Sequence, residues 1–226
     1  ILLCTAMAAA VMAGCGSSTN ESVSKEDAAE TAAPAEEGTE STSAGGESGL
    51  IVYTQKTMNQ YFHVALQEKV EEAVLGAGYE VEVANCNNDS TLQNDQFRNF
   101  ISKNPKAIIA NAVDSDALND VTNEAMEAGI PVIMVDNPAS TAVVSGSVKF
   151  DNVECGRMAA ERIVELLTEK YGAAQGRLVN VYGAMSSECW RLRKEGVDEV
   201  ISQYPDIEYI EVSGEGHRAK SQEALT

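Results

Sequence analysis

The chain has 226 residues and a formal net charge of −19. Its 44% hydrophobic and 23% charged residues are ordinary for a globular protein, but the acidic balance argues against non-specific nucleic-acid binding, which needs a basic surface to replace counterions. It argues equally against docking on anionic lipid through a polybasic patch, and 5% aromatics is too few for a base-stacking platform.

The first segment, Ile1-Leu2-Leu3-Cys4 through Gly14, is apolar but shorter than the ~20 residues a membrane-spanning helix needs. It reads as the apolar region of a secretory signal. Met12-Ala13-Gly14-Cys15 resembles a bacterial lipobox, in which Cys15 is lipidated and becomes the new N-terminus. The plain alternative is an ordinary signal peptide with an incidental cysteine. We read 1–15 as the remnant of a lipoprotein signal. Residues 16–49 are Ser, Thr, Ala, Gly and Glu, with eight acidic side chains against Lys25. Such a stretch buries too little apolar surface to offset its ordering entropy and reads as a disordered acidic tether.

From Leu50 the pattern changes. Leu50–Thr54 is β-prone, and a helical spacing of Val64, Leu66, Val70, Val74 and Leu75 follows from about Tyr61 to Ala77. Tyr79–Ala84 predicts a strand. Asp89-Ser90-Thr91 opens a helix to about Lys103. Ala107–Ala110 is a continuous apolar run, as in a strand covered on both faces. Asp114 or Ser115 caps a helix ending at Gly129. Ile130–Val135 is a strand, and a short one lies near Ala142–Val148. A helix from Asn152 to about Tyr171, a strand over Arg177–Tyr182, a helix over Glu188–Gln203, a strand over Ile207–Val212 and the first turns of a helix from Arg218 complete the chain. This alternation predicts an α/β fold of two doubly wound parallel-sheet lobes, 50–150 and 151–226. The second lobe reads as incomplete, and the chain as a fragment.

Ligands in such sheets bind beyond the carboxyl ends of the strands. The loops there carry Gln60, Tyr61, Phe62 and His63, then Asn111, then Asp136 and Asn137, then Trp190 and Arg193. Carboxylate, amide and guanidinium groups beside aromatic faces suit a polyhydroxylated ligand. Asp accepts from vicinal hydroxyls, Arg forks onto oxygens, and the C–H face of a sugar lies on a ring. Each residue has a plain alternative. Asp136 could be a helix cap or loop anchor, Asn111 could satisfy loop backbone groups, Tyr61 and Phe62 could belong to the core, Trp190 could pack between lobes, and Arg191 could form an interlobe or surface ion pair. His217 and Arg218 have no assigned place.

Cys86, Cys155 and Cys189 leave one disulfide open as an option, with unpaired thiols the preferred reading. No CxxC occurs, and His63 and His217 have no metal-ligand spacing, so we expect neither metal nor cofactor. No G-x-S-x-G elbow, Walker loop or G-x-G-x-x-G appears, and an enzyme is not expected.

In combination, Thr57–His63, Asn111–Ala117, Glu127–Val132, Val135–Asn137, Asp151–Gly156 and Arg191–Gly196 resemble the ribose-type periplasmic sugar-binding proteins of the type I periplasmic binding fold. The resemblance runs from about Leu50 to Thr226. It implies that Gln60, Phe62, His63, Asn111, Asp136, Asn137 and Arg193 occupy pocket positions, and that Asp151 and Asn152 lie on a hinge strand. The family often has an aromatic where His63 stands and Arg where Asn137 stands. The resemblance implies a monomeric, exported protein, lipid-anchored on the extracytoplasmic face, that closes on a sugar-like ligand and docks on an ABC permease. The alternative reading is a sensing subunit that presents its bound ligand to a membrane receptor or kinase.

Overall fold

The computed structural model describes residues 49–226, so the expected signal remnant, the lipidation at Cys15 and almost all of the tether lie outside the described residues. Seven strands and six helices occur among the described residues, alternating except where β5 follows β4 directly. The first lobe comprises β1 (Leu50–Gln55), α1 (Tyr61–Gly76), β2 (Glu80–Asn85), α2 (Ser90–Ser102), β3 (Ala107–Ala110), α3 (Asn119–Glu127), β4 (Val132–Val135) and β5 (Gly146–Val148). Its strands are all parallel, in the order β2-β1-β3-β4-β5. The second lobe comprises α4 (Asn152–Tyr171), β6 (Gly176–Tyr182), α5 (Glu188–Ile201), β7 (Ile207–Ser213) and α6 (Arg218–Glu223), with β6 and β7 paired in parallel.

The order reverses between β1 and β3. Right-handed crossovers send α1 over one face of the sheet and α2 and α3 over the other. The loops leaving β1 and β3 therefore diverge and open a crevice at their carboxyl ends. The core lies on the α2/α3 face, where Val52, Ile108, Val132 and Met134 meet Phe97, Phe100, Val121 and Ala125. The other face is less covered than the apolar run predicts. Ile108 and Ala110 are fully buried, Ile109 only partly, and Ile133 is 36% exposed.

Asp89 caps α2 as expected, accepting from the amides of Thr91 at 2.9 Å and Leu92 at 3.0 Å. The start of α3 differs from expectation. Asp114 instead closes a preceding turn, its Oδ1 accepting from the amides of Asp116 and Ala117, each at 2.9 Å. Regular helix begins only at Asn119. Ser115 does not cap this helix, because its amide and hydroxyl are used by the second lobe.

Two helices of the second lobe cross backbone to backbone. A Cβ on Gly156 would lie 2.1 Å from the Arg193 carbonyl oxygen, and one on Gly196 would lie 2.0 Å from that of Val153. Only glycine permits that approach. Below the crossing, Ala160, Val164, Val200, Ile201 and Ile207 form a separate core. Cys86, Cys155 and Cys189 are free thiols.

Candidate functional site

The sheet places one residue after another on the crevice. Gln55, the last residue of β1, folds the following loop around itself. Its Nε2 donates to the His63 carbonyl at 2.6 Å, and its Oε1 accepts from the Lys56 amide at 2.9 Å. Buried Gln93 on α2 ties this loop to the next one. It donates to Thr54 Oγ1 at 2.7 Å and to the Asn111 carbonyl at 2.9 Å, and it accepts from the Val113 amide at 2.8 Å.

At the end of β4, Asp136 has φ of 63°, in the left-handed region that Asp and Asn tolerate better than most residues. Strain of this kind collects at functional positions. A chain of long contacts runs from His63 Nδ1 to Asn111 Nδ2 and from Asn111 Nδ2 to Asp136 Oδ2, both at 3.4 Å. Asn111 Oδ1 and the Tyr53 hydroxyl are buried without a partner.

In the second lobe, Arg193 donates from Nε to Asn152 Oδ1 at 2.8 Å, and its guanidinium lies 5.4 Å from the Trp190 ring centroid. The hydrogen bond and the cation–π contact hold the side chain across the site. Asp151 N-caps α4 by accepting from the Glu154 amide at 3.0 Å. The residues expected on a hinge strand thus serve locally as a helix cap and as the partner of Arg193.

Between the lobes lies a cavity of about 440 Å³. That volume falls in the range of small-molecule sites. Gln60, Phe62, His63 and Asp136 line it from the first lobe, and Trp190 and Arg193 from the second. Phe62 is 45% exposed, and its ring meets His63 edge to face at 5.3 Å. Gln60 Nε2 donates to the Gly216 carbonyl at 2.8 Å, joining the two rims.

Three expected contacts take other positions. Tyr61, 88% exposed, faces an adjoining, more open hollow. Along the first turn of α1 the chain turns about 100° per residue, and it is Phe62 and His63 that face the cavity while Tyr61 points to the neighbouring hollow. Asn111 is fully buried behind His63 and Asp136, off the cavity wall. Asn137 is also fully buried, its Nδ2 donating to the Ala112 carbonyl at 2.8 Å and its Oδ1 accepting from the Cys189 amide at 3.0 Å. It belongs to the seam between the lobes.

Sequence reasoning passed over Lys56. It is buried, lines the cavity, and its Nζ donates to Ser187 Oγ at 3.0 Å. The only signal was its place directly after a buried strand. Burial pulls its pKa below the usual lysine range, opposed by Cys189, Asp136 and Asp114. Burial pushes the Asp136 carboxyl up, opposed by Arg193, the Asn111 contact and Lys56. Burial, then the Lys56 charge, lowers His63 to about 4. His63 is therefore neutral at pH 7, and a tautomer accepting at Nδ1 leaves Nε2–H as a donor. The site combines an acceptor carboxylate, cationic and neutral nitrogen donors, and two aromatic rings.

The periplasmic binding protein domain family matches residues 51–226. The chain belongs to this family. It is similar to the D-apiose import binding protein of Actinobacillus succinogenes, at 26% identity over 75% of this chain and 54% of the relative. It is 29% identical to the ribose import binding protein of Bacillus subtilis, over 72% of this chain and 52% of the relative. The chain thus spans about half the length of these curated relatives. Among solved structures, an ABC transporter solute binding protein from Mycobacterium smegmatis with bound glycerol superposes with a TM-score of 0.72 at 25% identity. That match covers 79% of this chain and 60% of that one. The two-lobed type I periplasmic binding architecture follows from the fold and this likeness together.

Proposed function

We propose that this periplasmic binding protein captures a small sugar-like molecule between its lobes and delivers it to an ABC importer. The observation that carries the reading is the cavity wall itself. Asp136 and Lys56 from one lobe face Arg193 from the other, and Phe62 and Trp190 supply ring faces. A polyol contacting both lobes gains its full set of interactions only in the closed state, and so shifts the population towards closure. Capture of this kind requires no bond to form or break. The relatives named for D-apiose and ribose import support the ligand class and the importer. They also support an extracytoplasmic location. The Met12–Cys15 stretch supports a lipid anchor at Cys15, with the body working as a monomer at the membrane surface.

The test is calorimetry of the full-length protein against pentoses, hexoses and polyols. At least one is expected to bind, and Asp136→Asn is expected to weaken that binding tenfold or more. Unchanged affinity in Asp136→Asn would remove the pocket assignment. For the anchor, Cys15→Ser is expected to release the protein from the membrane fraction of its native host.

A further inference from the structure

The N-terminus of α5 is satisfied from the opposite lobe. A helix starts with amides that have no partner inside it. In α5 the amides of Trp190 and Arg191 reach the Ser187 carbonyl at 3.1 and 3.2 Å. Those of Glu188 and Cys189 remain. Ser187 occupies the cap position, yet its side chain caps nothing, and its hydroxyl accepts from Lys56 Nζ at 3.0 Å. The first lobe supplies what is missing. Ser115 Oγ accepts from the Glu188 amide at 3.0 Å, and Asn137 Oδ1 accepts from the Cys189 amide at 3.0 Å.

Both side chains are fully buried, and neither lines the cavity. Both are fixed within their own lobe. Asn137 Nδ2 donates to the Ala112 carbonyl at 2.8 Å, and the Ser115 carbonyl accepts from the Ser140 amide at 2.9 Å. The Ser115 amide also donates to the Ser186 carbonyl at 2.9 Å, which brings the two loops into register.

We propose that Ser115 and Asn137 are closure residues, which cap α5 across the cleft and favour the shut conformation without touching ligand. This rests on the reading of the chain as a binding protein whose lobes close, but not on the identity of the ligand. In an open form these amides face water. Closing exchanges that hydration for preorganised acceptors, with the helix dipole favouring partial negative charge there. Losing one such cap corresponds to a roughly fivefold shift towards the open form.

The experiment is site-resolved amide hydrogen exchange on the full-length protein without ligand. The Glu188 and Cys189 amides are expected to be protected in the parent. Ser115→Ala should speed exchange at Glu188, and Asn137→Ala at Cys189, each about fivefold, while amides in β1 and β3 stay unchanged. The Ala112 and Ser140 amides, which donate to the Asn137 and Ser115 backbone carbonyls at 2.9 Å each, are expected to keep their parental exchange in both variants, which separates capping from loop folding. Parental protection retained in the Ser115→Ala/Asn137→Ala double variant would overturn the proposal, as would unprotected amides in the parent. Failure to bind any sugar would leave these exchange rates as predicted, so the two readings fail separately.

Discussion

The crossing of α4 and α5 at Gly156 couples stability to ligand recognition, and Gly156→Ala probes both. The new methyl would lie 2.1 Å from the Arg193 carbonyl oxygen. Both groups are anchored to helical backbone, so no flexible end can yield. Ordinary contact at 3.4 Å requires an opening of about 1.3 Å. Overpacking of this kind costs about 1–3 kcal/mol. The opening also stretches the 2.8 Å hydrogen bond from Arg193 to Asn152, and a bond to a charged group contributes about 1.5–3 kcal/mol. Alanine returns about 1 kcal/mol of helix propensity. The net loss is about 1.5–5 kcal/mol, which for a chain of this size lowers Tm by about 3–20 °C. Thermal melts followed by circular dichroism measure it, with Gly76→Ala as control. A Cβ there meets nothing within 4 Å, so that variant should melt at or slightly above the parent temperature. A Gly156→Ala protein melting within about 1 °C of the parent would refute the close-packed crossing.

The left-handed backbone at Asp136 predicts that Asp136→Asn melts like the parent, whereas Asp136→Val costs a further ~1–2 kcal/mol in a denaturant titration. His63 is held to about 4, below its unfolded value near 6.5. Between these values the unfolded chain binds the extra proton, so stability should fall as pH drops from about 6.5 towards 4, and His63→Gln should flatten that part of the profile. A Cβ on Gly183 would lie 2.3 Å from the Trp190 ring. Because Trp190 is the single tryptophan of the chain, Gly183→Ala should shift its emission and weaken ligand binding through loss of the stacked Arg193. Unchanged emission would place the ring elsewhere.

The alternation of elements was readable because the strands are short and mostly β-prone, Asp89 and Asp151 open α2 and α4, and Gly78, Gly129 and Gly172 follow α1, α3 and α4. Asp89 announces α2 in sequence and caps it in space. Ser115 was misread for a definable reason. A local cap and a partner 73 positions away look alike in sequence, and here the Glu188 amide is the partner. Asp136 and Asn137 are neighbours that face different ways, one into the cavity and one into the seam. Sequence adjacency could not separate them. Lys56 was overlooked because a lysine after a strand normally reaches solvent, and what encloses this one is Ser187, 131 residues further on. Lys56, Ser115 and Asn137 all have partners in the other lobe, and those partners are set by how the two halves meet.

The crevice at the strand-order reversal separates two tasks along each strand. Val52, Ile108 and Met134 hold the sheet together, while the segments beyond β1 and β4 carry Phe62 and His63, in the first turn of α1, and Asp136. Side chains lining the cavity from those segments can therefore be exchanged with little disturbance to the hydrophobic interior. A library randomised at Gln60, Phe62 and Trp190 should yield mostly well-folded members that differ in what they hold, which makes this scaffold a practical starting point for small-molecule biosensors.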